Sequence, residues 1–169
     1  IDMKDPDSAI GYLERVITTN PNNKVVLAEL VGLYEEREQN GFGLGFLQEV
    51  YEKNPTNSTL AMGIGQMLAA NEQSEEAIPY LEKAVQLDTS PGASTELADV
   101  YSELGQSDKA QQYYELSVRN ATTTEGRVMA KVDLISHHLE QGQYQNAEKV
   151  LLSIELPARE GSELLAQIR

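Results

Sequence analysis

The chain has 169 residues, 27 of them acidic and 13 basic, for a net charge of −14. Such a surface repels phosphate backbones and anionic lipid, which argues against a nucleic-acid partner. No apolar run approaches the roughly 20 residues of a membrane span, which argues against direct insertion. Cysteine is absent, so disulfides, thiolate nucleophiles and Cys-zinc sites are excluded.

The first predicted element, "DSAIGYLERVITTNPNN", carries Ala9, Leu13 and Val16. Offsets of 4 and 7 put them on one helix face. It ends at Asn20, because the residue before a proline is pushed out of the α region. A pair of helices follows, marked by Leu30, Val31 and Tyr34 and then by Gly43, Leu47 and Val50, and closed by "NPTN". The next pair is marked by Ile64, Gly65 and Leu68 and then by Ala77, Leu81 and Ala84, and closed by "DTSPG". A third pair shows Leu97, Ala98 and Tyr101, then Ala110, Tyr114 and Ser117. A fourth, looser pair shows Leu134, Ile135 and His138, then Ala147, Leu151 and Ile154. Successive small residues Ala9, Gly43, Ala77, Ala110 and Ala147 lie 34, 34, 33 and 37 apart.

The punctuation between paired helices also repeats. Gly105 and Gly142 suit helix C-caps, and Ser107 and Asp108 suit the N-cap of the helix that follows. Pro79 falls early in its helix, where a missing N–H costs least. "DPDS" at Asp5–Ser8 reads as a helix cap, since the Gly and distal Glu of a calcium loop are absent. "GFGLGF", Gly41–Phe46, resembles a phosphate-cradling loop, but a helix precedes it and no Lys or Ser/Thr follows. Gly43 instead takes the small-residue position of the repeat. Gly41 is expected to cap a slightly prolonged first helix. Gly45 sits inside the second helix, which requires either a close neighbouring backbone or a looser unit.

This arrangement resembles the tetratricopeptide repeat (TPR) family, most clearly in "ASTELADVYSELGQSDKAQQYYELSVRN". There Leu97, Ala98, Tyr101, Gly105, Ala110 and Tyr114 match the family's pattern, and Pro21 and Pro55 match its closing proline. The family's early Trp is missing from every unit. The resemblance implies an all-α, right-handed α-solenoid of antiparallel helix pairs, a single TPR-like superhelix over 1–169. Residues 1–20 would be the second helix of a truncated unit. Residues 24–56, 58–89, 91–122 and 126–156 would be helix-pair units, and 159–169 a C-terminal capping helix with Leu164, Leu165 and Ile168 on one side. An array that opens on a half-unit implies a fragment of a longer chain, or a partner that covers the end.

Catalytic chemistry is sparse. His137 and His138 are the only histidines, and neighbours on a helix point about 100° apart, which disfavours shared metal ligation. His138 falls on the apolar stripe, and His137 is expected to face solvent. No serine has a His/Asp partner set, and the abundant carboxylates imply an open groove rather than an enclosed acid pair. Asn57 and Asn120 head formal glycosylation sequons. No cofactor or metal is expected, and no enzymatic activity.

In the TPR family the first helices of successive units line a concave groove. The matching positions here include Glu29, Gly32, Glu36, Met62, Gln66, Glu96, Asp99, Glu103, Asp133 and Ser136. The basic clamp of the family's carboxylate-binding members is missing. The groove is expected to be acidic, with a small-residue middle in which Met62 adapts to apolar contacts. The resemblance thus implies a protein-interaction scaffold that holds a basic or amphipathic helical segment, within a larger bacterial assembly or secretion protein. The alternative is a structural spacer that self-associates through its terminal helices, a homo-oligomer through the N-terminal half-unit. The bacterial cytoplasm and periplasm both remain open as compartments.

Overall fold

The computed structural model describes residues 6–154. The capping helix expected over 159–169 lies outside them, as does Asp5 of the expected "DPDS" cap. Among the described residues the chain is a succession of helices: α1 (Pro6–Thr19), α2 (Lys24–Glu36), α3 (Asn40–Lys53), α4 (Ser58–Ala70), α5 (Ser74–Leu87), α6 (Pro91–Glu103), α7 (Ser107–Asn120), α8 (Thr124–Glu140) and α9 (Tyr144–Leu152).

Short polar segments set these boundaries. Asn23 and Asn57 cap α2 and α4, their side-chain oxygens accepting from Val26 N at 3.1 Å and Leu60 N at 2.9 Å. Asn57 also donates to Asn22 Oδ1 at 2.9 Å, tying one inter-unit turn to the previous one. Thr123 caps α8 through Gly126 N at 3.0 Å. Ser107 does not cap α7: it is already the first helical residue, and its hydroxyl donates to Gln141 Oε1 of the next unit at 2.8 Å. Pro79 is the sixth residue of α5 and not in its first turn. Its ring therefore removes a regular i→i−4 bond to the Glu75 carbonyl.

Within each pair the turn is built the same way. The backbone N–H of Gln39, Gln73, Gln106 and Gln143 bonds back to the carbonyl of Tyr34, Leu68, Tyr101 and His138, at 2.7–2.9 Å. This is the 6→1 bond of a Schellman cap, which needs a left-handed residue just before it. That residue is Gly105 (φ 69°) and Gly142 (φ 68°) as expected, but Glu38 (φ 55°) and Glu72 (φ 61°) in the two earlier units. Gly41, expected at this cap, instead lies in the first turn of α3, because Glu38 closes α2 three residues earlier.

Each helix packs on the next, and α2, α4, α6 and α8 also touch in succession. These form the inner layer of a solenoid, with α3, α5, α7 and α9 outside. The core is one continuous apolar cluster along the array. Leu30, Ile64 and Leu97 are fully buried at equivalent positions of α2, α4 and α6, and Leu47 and Leu81 at equivalent positions of α3 and α5. Burying each such side chain contributes about 1.5–3 kcal/mol.

The repeat pattern weakens at both ends. Helix α1 packs chiefly on α2, so its buried stripe is Ile10 and Ile17 with Leu13 beside them, not Ala9 and Val16. In α9 only Ala147 is buried; Leu151 is 45% exposed, and the helix stops at Leu152, before Ile154.

Gly43 answers the need for a small residue. A Cβ there would lie 2.4 Å from Met67 Cε and from Tyr34 Cδ2. Gly45 has no such reason: a Cβ would meet nothing within 4 Å. No neighbouring backbone packs close to it. Gly45→Ala is therefore expected to raise stability by about 1 kcal/mol, the helix-propensity difference. Urea unfolding followed by circular dichroism measures this, and a loss of stability would mean that the unit depends on the glycine.

Candidate partner-binding groove

The inner layer presents a hollow of about 360 Å³ where α2, α4 and α6 meet. Its apolar surface comes from Ala28, Val31, Ala69 and Val100, and its polar surface from Glu35, Gln66, Glu96, Asp99 and Glu103, with Gly32 between. Helical spacing explains the set. Ala28, Val31, Gly32 and Glu35 fall at offsets 3, 4 and 7 on one stripe of α2, as do Glu96, Asp99, Val100 and Glu103 on α6.

Four carboxylates and no cation line this space. Glu96 accepts a 2.6 Å bond from Gln66 Nε2, which links α4 to α6. Burial pushes the Glu96 carboxyl above its ordinary range against the pull of that bond, and the Asp99 and Glu35 charges push it further. Asp99 is likewise pushed up, first by lost hydration; the hydroxyl of Tyr114, which donates to it, works the other way, and Asp133, Glu103 and Glu140 add repulsion. Burial also raises Asp133. The groove thus holds like charges close enough to feel one another, with Glu96, Asp99 and Asp133 incompletely hydrated.

Of the ten positions read from the sequence, Gly32, Gln66, Glu96, Asp99 and Glu103 come together in this hollow. Asp133 extends the acidic strip on α8 beside Asp99. Glu29 and Glu36 lie round the side of α2, lining an adjoining hollow of about 550 Å³ with Val25 and Leu33, which meets the first at Ala28 and Gly32. Met62 is partly buried against Ala61, Ala84 and Ala93, away from the acidic hollow. Ser136 is an exposed α8 residue outside both hollows. Glu35, Val31 and Val100 were not among the ten. The stripe through Ala28 and Gly32 was the signal that would have found Glu35 and Val31.

His137 does not face solvent. It is 2% exposed, its ring 5.1 Å from that of Tyr114 and its Nδ1 3.4 Å from Ser102 Oγ. His138 is 3% exposed and its Nδ1 lies 2.8 Å from Gln143 Oε1. Because α8 packs against α6, α7 and α9, two adjacent residues can both be covered. Burial holds His137 below its ordinary pKa, partly countered by a hydrogen bond with the Ser107 backbone. Among the described residues no group of three or more His, Asp or Glu is placed to hold a metal ion, and no helix is long and apolar enough to cross a membrane.

A family model described as "Tetratricopeptide repeat" matches residues 59–91 and 92–122. No curated protein matches the chain. Among solved structures, a crystal structure of MamA is similar at 23% identity, with a TM-score of 0.68 over 96% of this chain and 92% of that one. A thermophilic TPR protein in Thermus thermophilus is similar at 18% identity, with a TM-score of 0.68 over 96% and 88%. Nearly identical TPR-like repeats of a putative kinesin light chain from Podosopora anserina are similar at 20% identity, with a TM-score of 0.64 over 88% and 85%.

Proposed function

Residues 59–122 belong to the tetratricopeptide repeat family, and from that premise we propose that the chain is a non-enzymatic protein-interaction scaffold whose inner groove holds a basic or amphipathic helical segment of a partner. The observation that carries this reading is the hollow framed by Glu35, Glu96, Asp99 and Glu103, with Ala28, Val31, Ala69 and Val100 beside them. A helix with an apolar stripe flanked by Lys or Arg would complement both kinds of surface. It would also relieve the repulsion that adds to the burial-driven rise of the Glu96 and Asp99 carboxyls. A larger bacterial assembly or secretion protein is the host we infer, on the resemblance alone.

A labelled amphipathic peptide with Leu on one face and Lys on the other is a direct probe, with a Glu-for-Lys version as control. Fluorescence anisotropy should show the Lys peptide binding, more tightly at low salt. The triple variant Glu96→Gln/Asp99→Asn/Glu103→Gln should lose tenfold or more in affinity. Equal binding of both peptides, or unchanged affinity in the triple variant, would sink the acidic-groove reading.

A further inference from the structure

The acidic hollow is a trough. Helices α2 and α6 are its walls, and Gln66 and Ala69 of α4 line its floor. On the α2 wall Lys24, Ala28, Val31 and Glu35 fall at offsets of 4, 7 and 11, one helical stripe. Lys24 therefore heads the wall that ends in Glu35. On the α6 wall Glu96, Asp99 and Glu103 follow one another, and Asp88 and Ser90 stand just ahead of the first residue, Pro91.

The two ends of the trough carry opposite electrostatics. At the head, Lys24 reaches from one wall to the other: its ammonium lies 2.6 Å from Asp88 Oδ2 and 3.4 Å from Ser90 Oγ. Asp88 is held ready for it, because its Oδ1 accepts from the Ser90 backbone N–H at 2.9 Å. The bond from Asn57 to Asn22 joins successive inter-unit turns. Lys24 and Asp88 instead join the start of α2 to the turn ahead of α6, past the turn ahead of α4. Farther along, Glu35 and Glu96 face the same hollow from opposite walls, and the Glu35 charge is felt at Glu96. The walls are thus drawn together at the head and pushed apart beyond it.

We propose that Lys24 and Asp88 form a clasp that pins the head of the trough and makes its walls a jaw, which closes at the other end when a cationic side chain of the partner lies between Glu35 and Glu96. The ligand rests on the groove reading above; the clasp adds how the trough is fitted to it. A pinned head lets α2 and α6 turn about it without sliding apart. An ammonium or guanidinium between the two carboxylates replaces their repulsion by attraction to both. Neither Lys24 nor Asp88 lines the acidic hollow, so both are positioning residues.

Two measurements on the full chain test this. The sequence has no cysteine, so Glu36→Cys and Gln106→Cys place two spin labels at the far ends of α2 and α6. Dipolar spectroscopy then reads the opening of the jaw. Lys24→Gln and Asp88→Asn should each lengthen and broaden the distance distribution, and Lys24→Arg should not. The Leu/Lys peptide should shorten and sharpen it when the clasp is intact. By anisotropy, Lys24→Gln and Asp88→Asn should each weaken that peptide about two- to fivefold, and both together no more than either alone. Net charge by itself would move the two variants in opposite directions, since one loses a cation and the other an anion. Distances unmoved by either variant, affinities that shift in opposite senses, or a bound peptide that leaves the jaw open would each overturn the proposal. A wild type that binds no Lys peptide marks the failure of the groove reading instead, and the free-protein distances still decide the clasp.

Discussion

Leu81→Ala is expected to cost about 2–5 kcal/mol, and Gly65→Ala about 1–2 kcal/mol, yet the two together should cost clearly less than their sum. Leu81 is fully buried, and its isobutyl group fills the space that Gly65 leaves: a Cβ at 65 would lie 2.5 Å from Leu81 Cγ and 2.6 Å from Cδ2. Adding that methyl forces Leu81 out of its place, an overpacking cost of about 1–3 kcal/mol. The better helix propensity of alanine offsets up to about 1 kcal/mol of it. With Leu81 shortened, the new methyl has room and refills part of the cavity. Urea unfolding of the four proteins of the cycle should therefore give a coupling energy of about 1 kcal/mol or more. Strict additivity would show that the close approach of α4 and α5 is not what keeps position 65 as glycine.

Removing charge from the groove should have the opposite sign. The folded-state pKa values of Glu96 and Asp99 are raised above their ordinary values, chiefly by desolvation. A raised carboxylate contributes stability that is fully present below its unfolded pKa and lost as pH rises through the folded one. Glu96→Gln and Asp99→Asn keep oxygens to accept from Gln66 and Tyr114 while removing the charge. Each should stabilise by about 0.5–2 kcal/mol at pH 8, and the advantage over wild type should shrink as pH falls and vanish only below the ordinary carboxylate range. His137 pulls the wild type the other way. Its pKa is lowered by burial, so its contribution is lost as pH falls below the ordinary histidine value. Melting both proteins across the pH range separates the two effects. A constant difference between variant and wild type would mean that the carboxyls are not strained by the groove. On the proposed groove reading, the substitutions that stabilise the fold are also the ones expected to weaken binding of a basic segment, the trade-off expected at a functional site.

Much of this architecture was legible because each unit repeats its own constraints. Leu97, Tyr101, Ala110 and Tyr114 announce one helix pair, and the same offsets recover the others even where Gly43 replaces Ala. What stayed hidden depended on neighbours. Glycine is the usual residue for a left-handed turn, so Glu38 and Glu72 gave no signal; the Schellman bonds on either side impose φ > 0 on them regardless. His137 looked exposed because a single helix has one apolar face, whereas α8 is covered from more than one direction. The stripe of α1 turned toward Ile10 and Ile17 because α2 is its main packing partner. Family spacing pointed to Glu29 and Glu36 but passed over Glu35. Which carboxylate faces the hollow depends on how α4 and α6 flank α2, and one helix cannot reveal that.

The apolar part of the inner hollow is made largely of Ala28, Gly32 and Ala69. Alanine and glycine have no rotamers, so this surface cannot adapt to a guest by moving side chains. The width available is set by the tilt of α2, α4 and α6 relative to one another, and hence by how the outer helices wedge them apart. Among the described residues the inner helices touch in succession along the array, the arrangement of a coil whose gap widens only if its turns spread. On the groove reading proposed above, a substitution on the outer helices that stiffens the coil would be felt at a groove it never touches.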